Sequence, residues 1–392
     1  MAKLGDIIEQ IRGVSYKPAN LHDNLNNNSV ILLRANNIQN GKIVLDDVVY
    51  VSKNKVSESQ YLRQGDILVC TSSGSKELVG KAAFVDKDLP MVFGAFCKVV
   101  RPKIECCEYM GHFFQSPYYR NHISAASAGA NINNLRNEHI ADLHIPLPSI
   151  DEQRKIAAVL DQVSGLVAKR RQQLDKLDEM VKARFVEMFG DMIYNPYNWP
   201  TQQLEEIADI VSGITKGRKT KKLNLIEVPY MAVSNVKDGY IDWTTVKTIP
   251  ATQSEIEQYR LLPDDILMTE GGDPDKLGRG AIIQNPPENC IHQNHIFRVR
   301  LDEQLLLPCY FAEFLKHQKA KQYFLRCAKQ TTGIASINMR QLKDLPTLVP
   351  PLELQNQFTD FVKQTEKTKT TISRSLEKLE TLKKALMQKY FK

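Results

Sequence analysis

The longest regular pattern of apolar residues lies in residues 151–190. Apolar side chains recur there in steps of three and four, or of seven where one is skipped, at Ile156, Leu160, Val163, Val167, Leu174, Leu177, Val181 and Met188. This spacing is typical of the a and d positions of a coiled coil. Arg170 and Arg184 occupy two further positions of the same stripe, where they could pair with acids or mark where other subunits dock. About 37 helical residues at ~1.5 Å each would span roughly 55 Å, so the pattern predicts a long helix that needs a partner.

The partner is predicted at the other end of the sequence, in residues 353–392. Apolar residues follow the same frame there, shifted by 202 positions, at Phe358, Val362, Ile372, Leu376, Leu379, Leu386 and Tyr390. A strand-like, proline-rich segment precedes each helix, at residues 145–148 and 348–351. A pseudo-dyad relating the two copies would make the helices pair antiparallel, with the globular parts at opposite ends.

The segments that precede the two helices also repeat. The matched pairs are 4–13 with 204–213, 33–43 with 231–241, 65–69 with 264–268, 80–83 with 279–282, and 129–136 with 333–340. The second pair predicts a strand, an Asn-Gly or Asp-Gly turn, and another strand. The third predicts a strand that leads into a polar loop, 71–76 in one copy and 269–276 in the other.

The predicted fold class is α+β, with two tandem mixed α/β domains joined by two long antiparallel coiled-coil helices in pseudo-twofold symmetry. We expect globular domains at 1–150 and 191–351, a central helix at 151–190 and a C-terminal helix at 352–392. A length of 392 residues suits two or three domains, and the repeat favours two.

Charge and cysteine usage narrow the class of protein. The net charge of +7, from 52 Lys and Arg against 45 Asp and Glu, is compatible with a polyanionic partner. No apolar run of about 18 residues and no signal-peptide pattern is seen, so we expect a cytoplasmic protein without a membrane partner. Seven cysteines without a CxxC pair predict reduced, mostly buried thiols.

Several of these segments resemble the specificity subunit of Type I restriction-modification systems. The most diagnostic piece is residues 263–281, PDDILMTEGGDPDKLGRGA, and the helix entries at 146–156 and 350–358 are next. The resemblance covers the whole chain as target recognition domain, helix, target recognition domain, helix. The first copy departs from the diagnostic pattern, with 71–76 reading TSSGSK, as expected if the two domains read different sequences.

The resemblance implies a non-catalytic subunit, and the absence of cofactor and metal motifs leads us to expect neither a cofactor nor a metal. It implies that each recognition domain reads one half of a bipartite double-stranded DNA target. The helix pair would set the spacer and dock two methyltransferase (M) subunits, to which restriction (R) subunits add.

The candidate DNA-contacting residues are cations for phosphates and forked polar groups for base edges. In the first half they are Arg34, Asn36, Asn37, Thr71, Ser72, Ser73, Lys76, Lys81, Asn133, Asn134 and Arg136. In the second half they are Lys216, Arg218, Lys219, Lys221, Lys222, Ser234, Asn235, Thr269, Glu270, Lys276, Arg279, Asn338 and Arg340. Asn suits adenine, Arg suits guanine, and Glu270 could accept from a cytosine amino group. The alternatives are turn chemistry for the Asn residues, a solvated loop for 216–222, and a structural role for Glu270.

Two other classes of function compete with this interpretation, a free-standing methyltransferase or nuclease and a coiled-coil scaffold without DNA contact. Asn285-Pro-Pro-Glu288 resembles a methyltransferase motif but has Glu where an aromatic is needed, and no glycine-rich cofactor loop precedes it. The sequence contains no acidic-x-Lys pair of the kind nucleases use and no Walker motif. His292 and His295 have a superficial metal spacing, which we interpret as ordinary strand or loop histidines.

Overall fold

The structure is a computed structural model that describes the chain except residues 76, 127–132, 218–223, 273–276 and 332–333. The chain divides into two compact units. Unit 1 comprises Met1–Gln172 and Ser373–Lys392, and unit 2 comprises Gln173–Ile372. Each long helix therefore contributes residues to both units.

Unit 1 begins with a series of short strands and helices. Its strands are β1 (Ala2–Lys3), β2 (Ile8–Arg12), β3 (Leu21–His22), β4 (Ser29–Leu33), β5 (Ile38–Gln39), β6 (Lys42–Ile43), β7 (Val49–Ser52), β8 (Ile67–Cys70), β9 (Ser72–Ser73), β10 (Ala82–Phe84), β11 (Met91–Phe93), β12 (Cys97–Pro102), β13 (Asn133–Asn134) and β14 (His144–Ile145). Its short helices are α1 (Leu4–Ile7), α2 (Cys107–Phe113), α3 (Pro117–Ala126) and α4 (Asn137–Ala141), and the central helix is α5 (Ile150–Phe189).

Unit 2 repeats this arrangement. Its strands are β15 (Thr201–Gln203), β16 (Ala208–Ser212), β17 (Ile226–Met231), β18 (Lys247–Ala251), β19 (Ile266–Thr269), β20 (Gly271–Gly272), β21 (Gly280–Ile282), β22 (Ile291–His292), β23 (Ile296–Leu301), β24 (Lys329–Thr331), β25 (Ile334–Ser336) and β26 (Pro346–Leu348). Its helices are α6 (Leu204–Ile207), α7 (Gln253–Tyr259), α8 (Pro308–Lys316), α9 (Gln318–Cys327) and α10 (Met339–Lys343), followed by the C-terminal helix α11 (Leu352–Tyr390).

Each unit is built on one antiparallel four-stranded sheet with the same strand order. In unit 1 the order is β10-β8-β12-β2, and in unit 2 it is β21-β19-β23-β16. A second sheet accompanies it, β11-β4-β7-β3 in unit 1 and β18-β17-β22 in unit 2. The central strands β8 and β19 are buried along their whole length, as their nearly continuous apolar sequences require.

The Asn-Gly turn predicted in the first half is confirmed. Asn40 and Gly41 have φ values of 51° and 76° and join β5 to β6. Two successive positive φ values are typical of a type I′ hairpin turn, which is why Asn-Gly is favoured there.

The two long helices are confirmed and pair antiparallel within each unit. In unit 1, Arg171 forms an ion pair of 2.6 Å with Glu380, while Leu160, earlier on α5, shares a core with Met387, later on α11. In unit 2, Asp178 lies 2.8 Å from the Lys369 ammonium. Further along α5, the ring of Phe185 lies 5.5 Å from that of Phe358, which comes earlier on α11.

Apolar side chains at the helix ends complete the two cores. In unit 1, Phe391 is fully buried, with its ring 5.1 Å from that of Tyr109 and 5.7 Å from that of Phe113. In unit 2, Phe189 at the end of α5 lies 4.8 Å from the ring of Tyr310. These phenylalanines lie one position beyond the predicted seam, so the apolar stripe widens where each helix meets a globular core.

Arg184 forms both an ion pair and a contact with an aromatic ring. Its guanidinium is half-exposed, forms an ion pair of 2.9 Å with Glu187, and lies 5.9 Å from the centre of the Phe361 ring. Arg170 is half-buried. Arg184 thus covers apolar surface while its charge stays near solvent.

Four of the seven cysteines are buried and three are half-buried, and all are free thiols, as predicted. Burial raises the pKa of the Cys290 thiol to about 12, which keeps it protonated. Among the described residues, no helix combines the length and apolar character that a bilayer span requires.

Candidate nucleic-acid interface

In unit 1, two polar segments that are distant in sequence meet at one end of the central sheet. Ser72–Ser73 of β9 follows the buried strand β8 and pairs antiparallel with Asn133–Asn134 of β13. Thr71 holds the junction, because its carbonyl accepts the Leu135 N–H at 2.7 Å. The structure therefore brings the predicted loop at 71–73 beside the predicted Asn-rich segment.

Unit 2 has the equivalent junction. Gly271–Gly272 of β20 pairs with β25, and the carbonyl of Glu270 accepts the N–H of Ile337 at 2.9 Å. A Cβ atom on Gly271 would lie 2.9 Å from the carbonyl oxygen of Ala335, so the close pairing requires glycine.

These hydrogen bonds correct the sequence alignment of the two halves. Thr71 takes the place of Glu270, because each donates its backbone N–H to a turn residue that follows the second sheet. Arg136 takes the place of Asn338, since each is the N-cap residue of the next short helix. The repeat of 65–69 with 264–268 agrees with the first pairing, although the predicted loops begin at Thr71 and Thr269 and so differ by one residue. The repeat of 129–136 with 333–340 pairs Arg136 with Arg340, which is wrong. A gap of one or two residues within polar loops leaves no trace in an apolar pattern.

The side chains presented at the two junctions differ. In unit 1, Asn134 and Arg136 are exposed, and among the described residues no carboxylate lies within ion-pair distance of Arg136. In unit 2, the Glu270 carboxylate contacts the Nδ1 atom of His295 at 2.6 Å. Each junction is the same backbone arrangement with a different chemistry.

Three of the predicted readout residues instead have structural roles. Asn37 and Asn235 are buried, and each side-chain amide ties a 3-10 turn to the segment that follows it. Asn37 donates to the carbonyls of Val44 and Asp47. Asn235 donates to the carbonyl of Asp242 and to the Thr245 hydroxyl. The Asn338 Oδ1 atom caps α10 by accepting the Gln341 N–H at 2.9 Å. The alternative of turn and cap chemistry thus describes all three.

Thr71 and Thr269 are also placed inside the fold. Both are buried, and the Thr71 hydroxyl donates to the carbonyl of Phe96 at 3.0 Å. Thr71 thus positions the loop that follows, with its hydroxyl already hydrogen-bonded inside the fold.

Several predicted cations and amides already have acidic partners. Asp47 accepts from both Arg34 and Asn36 at 2.8 Å. Arg340 binds Asp344 through two nitrogens and also lies 3.3 Å from Glu205, so its guanidinium is occupied in this structure.

The remaining predicted residues are more open or are not described. Lys216 and Ser234 are exposed, Lys81 is half-buried, and Arg279 is half-buried with its Nε atom 4.0 Å from Asp238. Lys76, Arg218, Lys219, Lys221, Lys222 and Lys276 lie outside the described residues.

Sequence reasoning missed an ion pair between a buried aspartate and a partly exposed arginine that occurs in both units. Arg101 binds Asp66 through Nε at 2.8 Å, and Arg300 binds Asp265 in the same way at 2.7 Å. The hydrogen bond to the carboxylate raises the pKa of each guanidinium. Both carboxylates also cap the turn before the central strand, by accepting the N–H of Arg63 or Leu262. The recurrence of Asp and Arg at matched places in both halves was the signal that could have found this pair.

The two histidines with metal-like spacing do not converge. His292 is buried, with its ring nitrogens 3.2 Å from the carbonyl of Tyr259 and 3.3 Å from that of Val211. Burial lowers the His292 pKa to about 4, so the ring is neutral near pH 7. His295 instead points to Glu270. This agrees with the interpretation of ordinary strand and loop histidines.

The fold and the matched junctions define a protein of two tandem α/β units with equivalent polar junctions. The profile of the Type I restriction modification DNA specificity domain matches residues 1–178 and again 196–381, and the chain belongs to that family. Members act as the DNA-recognition component and not as the catalytic one, in agreement with the sequence-based prediction.

The similar proteins include two curated specificity subunits and a solved S subunit. The chain is 29% identical to the EcoKI specificity subunit of Escherichia coli K12 and 30% identical to the StySPI specificity subunit of Salmonella potsdam, covering all of this chain and 88% of each relative. The S subunit from M. genitalium has a TM-score of 0.56 at 14% identity, covering 100% of this chain and 95% of that one. These comparisons confirm the predicted family and fold class.

Proposed function

We propose that each unit reads one half of a bipartite double-stranded DNA target. The two junctions, β9 with β13 in unit 1 and β20 with β25 in unit 2, would lie against the base edges. Exposed cations such as Arg136 and Lys216 would bind phosphates and hold the register. The chain would act by recognition alone, as the specificity subunit of a Type I restriction-modification complex.

The observation that carries this proposal is the matched pair of junctions. Their backbone hydrogen bonds are equivalent, yet Thr71 and Phe96 in unit 1 correspond to Glu270 and His295 in unit 2. A shared scaffold with different side chains is what two unlike half-sites require, because base identity is read by donors, acceptors and apolar groups at fixed positions.

We further propose that α5 and α11 set the spacing between the half-sites and dock two methyltransferase subunits, through which restriction subunits join. Apolar side chains on α5 remain exposed away from the seam, Val159 and Leu166 in unit 1 and Met180 and Val186 in unit 2. Exposed apolar residues on a helix that already has a partner are suited to contacts with another subunit. A similar solved structure, described as showing complex assembly of the type I R-M system, supports this with a TM-score of 0.54 at 18% identity.

A domain exchange tests whether the two units read separately. Residues 1–150 are replaced by the corresponding segment of a relative, and the methylome is sequenced in a host that also carries the methyltransferase subunit. One half of the methylated motif should change and the other half should stay. A thermal melt establishes that the hybrid folds around Met387 and Phe391, which pack against the exchanged domain. A motif altered in both halves would contradict independent reading.

A further inference from the structure

Phe96 is an exposed aromatic residue on a fixed backbone. It lies in the turn between β11 and β12, where the Cys97 N–H donates to the Gly94 carbonyl at 2.8 Å. The carbonyl of Phe96 accepts from the Thr71 N–H at 2.8 Å, the Thr71 hydroxyl at 3.0 Å and the Ser72 N–H at 3.2 Å. Nevertheless 70% of the residue's surface is exposed. The backbone is thus held tightly while the ring stays in solvent.

Phe96 adjoins the unit 1 junction. Its carbonyl accepts hydrogen bonds from Thr71 and Ser72, and Ser72 belongs to the strand that pairs with Asn133–Asn134. In unit 2, the equivalent carbonyl belongs to His295, which accepts the Glu270 N–H at 3.0 Å. The His295 side chain there meets the Glu270 carboxylate, whereas in unit 1 the corresponding residues are Phe and Thr. The same point of the scaffold is therefore apolar in one unit and charged in the other.

We propose that Phe96 reads the 5-methyl group of a thymine in the half-site bound by unit 1. This inference rests on the proposed DNA-reading function of the junction. Thymine is the base that presents an apolar group in the major groove, and phenylalanine is among the side chains that contact it. The junction that adjoins Phe96 is formed by polar residues, among them Ser72 and Asn134. This favours a base edge over an apolar protein surface as the occupant, because a base edge offers a methyl group together with hydrogen-bond donors and acceptors. Because the Phe96 carbonyl is already held by hydrogen bonds, binding of the thymine methyl group costs little further backbone entropy.

The test uses the full chain in complex with its methyltransferase subunits and duplexes that carry the motif found by methylome sequencing. Thymines of the unit 1 half-site are replaced by deoxyuridine, which removes only the methyl group. The wild-type complex should bind the thymine duplex roughly fourfold more tightly, the effect of one buried methyl. The Phe96→Ala complex should bind the two duplexes equally.

Matched variants separate this contact from general effects. Leu25→Ala removes another exposed apolar side chain of unit 1, and His295→Ala changes the equivalent position of unit 2. Leu25→Ala should keep both the wild-type affinity and the preference for thymine in the unit 1 half-site. His295→Ala alters the unit 2 junction, so its overall affinity should fall while the preference for thymine in the unit 1 half-site stays. Melting curves of all three variants should match the wild type, since each altered side chain is exposed.

Two outcomes would overturn the proposal. One is a wild-type complex that is indifferent to the methyl group. The other is a Phe96→Ala complex that keeps the preference, whether its affinity is unchanged or falls equally on both duplexes, as for a ring that stacks on any base. Failure of the proposed function looks different, because the wild-type complex would then bind scrambled and intact half-sites equally well.

Discussion

Lengthening both long helices by one heptad tests whether they act as the spacer. Each helix passes from one unit to the other at a single point, after Gln172 in α5 and after Ile372 in α11. Duplicating residues 166–172 and 366–372 at these points adds seven residues to each helix. The a and d frame is kept, so the antiparallel seam continues through the insertion.

The expected change in the DNA target follows from helix geometry. Seven residues at ~1.5 Å each add about 10 Å, which corresponds to roughly three base pairs at ~3.4 Å per base pair. Three base pairs also turn the duplex by about 100°, given roughly 10.5 base pairs per turn, whereas a heptad shifts an ideal helix by only ~20°. The one-heptad variant should therefore recognise a longer spacer with weakened binding. Three heptads add about 32 Å, close to one DNA turn, and should restore much of the affinity.

Methylome sequencing with the methyltransferase subunit measures both effects. The half-site sequences should stay constant while the gap between them grows by about three or about nine base pairs. Insertion of seven residues into α5 alone is the matched control, because helices of unequal length cannot keep both ends of the seam in register. If the doubly lengthened variant is folded and active but methylates the original spacing, the helices do not set the separation and the partner subunits must do so.

Three further predictions concern charge, packing and pH. Replacing the cations of the 216–222 segment by Gln should weaken binding to all DNA sequences. It should also flatten the plot of log affinity against log salt by about 0.9 for each phosphate that is no longer neutralised, and an unchanged slope would mean that these cations bind no phosphate. The residues are Lys216, Arg218, Lys219, Lys221 and Lys222. Phe391→Ala should lower the free energy of unfolding, measured by urea denaturation, by about 3–5 kcal/mol, because it leaves a cavity in the unit 1 core. Leu382→Ala on the exposed face of the helix should lower it by under about 0.5 kcal/mol. Equal urea midpoints for the two variants would contradict the burial of Phe391. The free energy of unfolding should fall by up to about 3 kcal/mol between pH 6.5 and about pH 4, because His292 becomes protonated in the unfolded chain while the buried ring stays neutral. His292→Gln should remove this contribution when the free energy of unfolding is measured against pH.

Elements whose pattern is local could be predicted from the amino-acid sequence. The heptad spacing predicted α5 and α11 to within about two residues, because one apolar face repeats along each helix regardless of what covers it. The Asn40-Gly41 turn followed from the positive φ values that such a turn demands. The internal repeat and the diagnostic segment at 263–281 identified the family, which the family profile confirmed.

Which polar residues face solvent together depends instead on long-range pairing in the folded chain. Ser72 and Asn134 meet through strand pairing across 62 positions of chain (134 − 72), and neither segment carries a pattern that specifies the other. Asn37 looks like a readout amide in sequence, yet it is buried and bonded within its own turn, because an amide can serve a backbone as well as a base. Phe96 belongs to a residue type that is most often buried, yet 70% of its surface is exposed. Its exposure arises because the turn fixes its carbonyl against Thr71 and leaves the ring pointing outward, a balance of long-range hydrogen bonds that no local sequence pattern records.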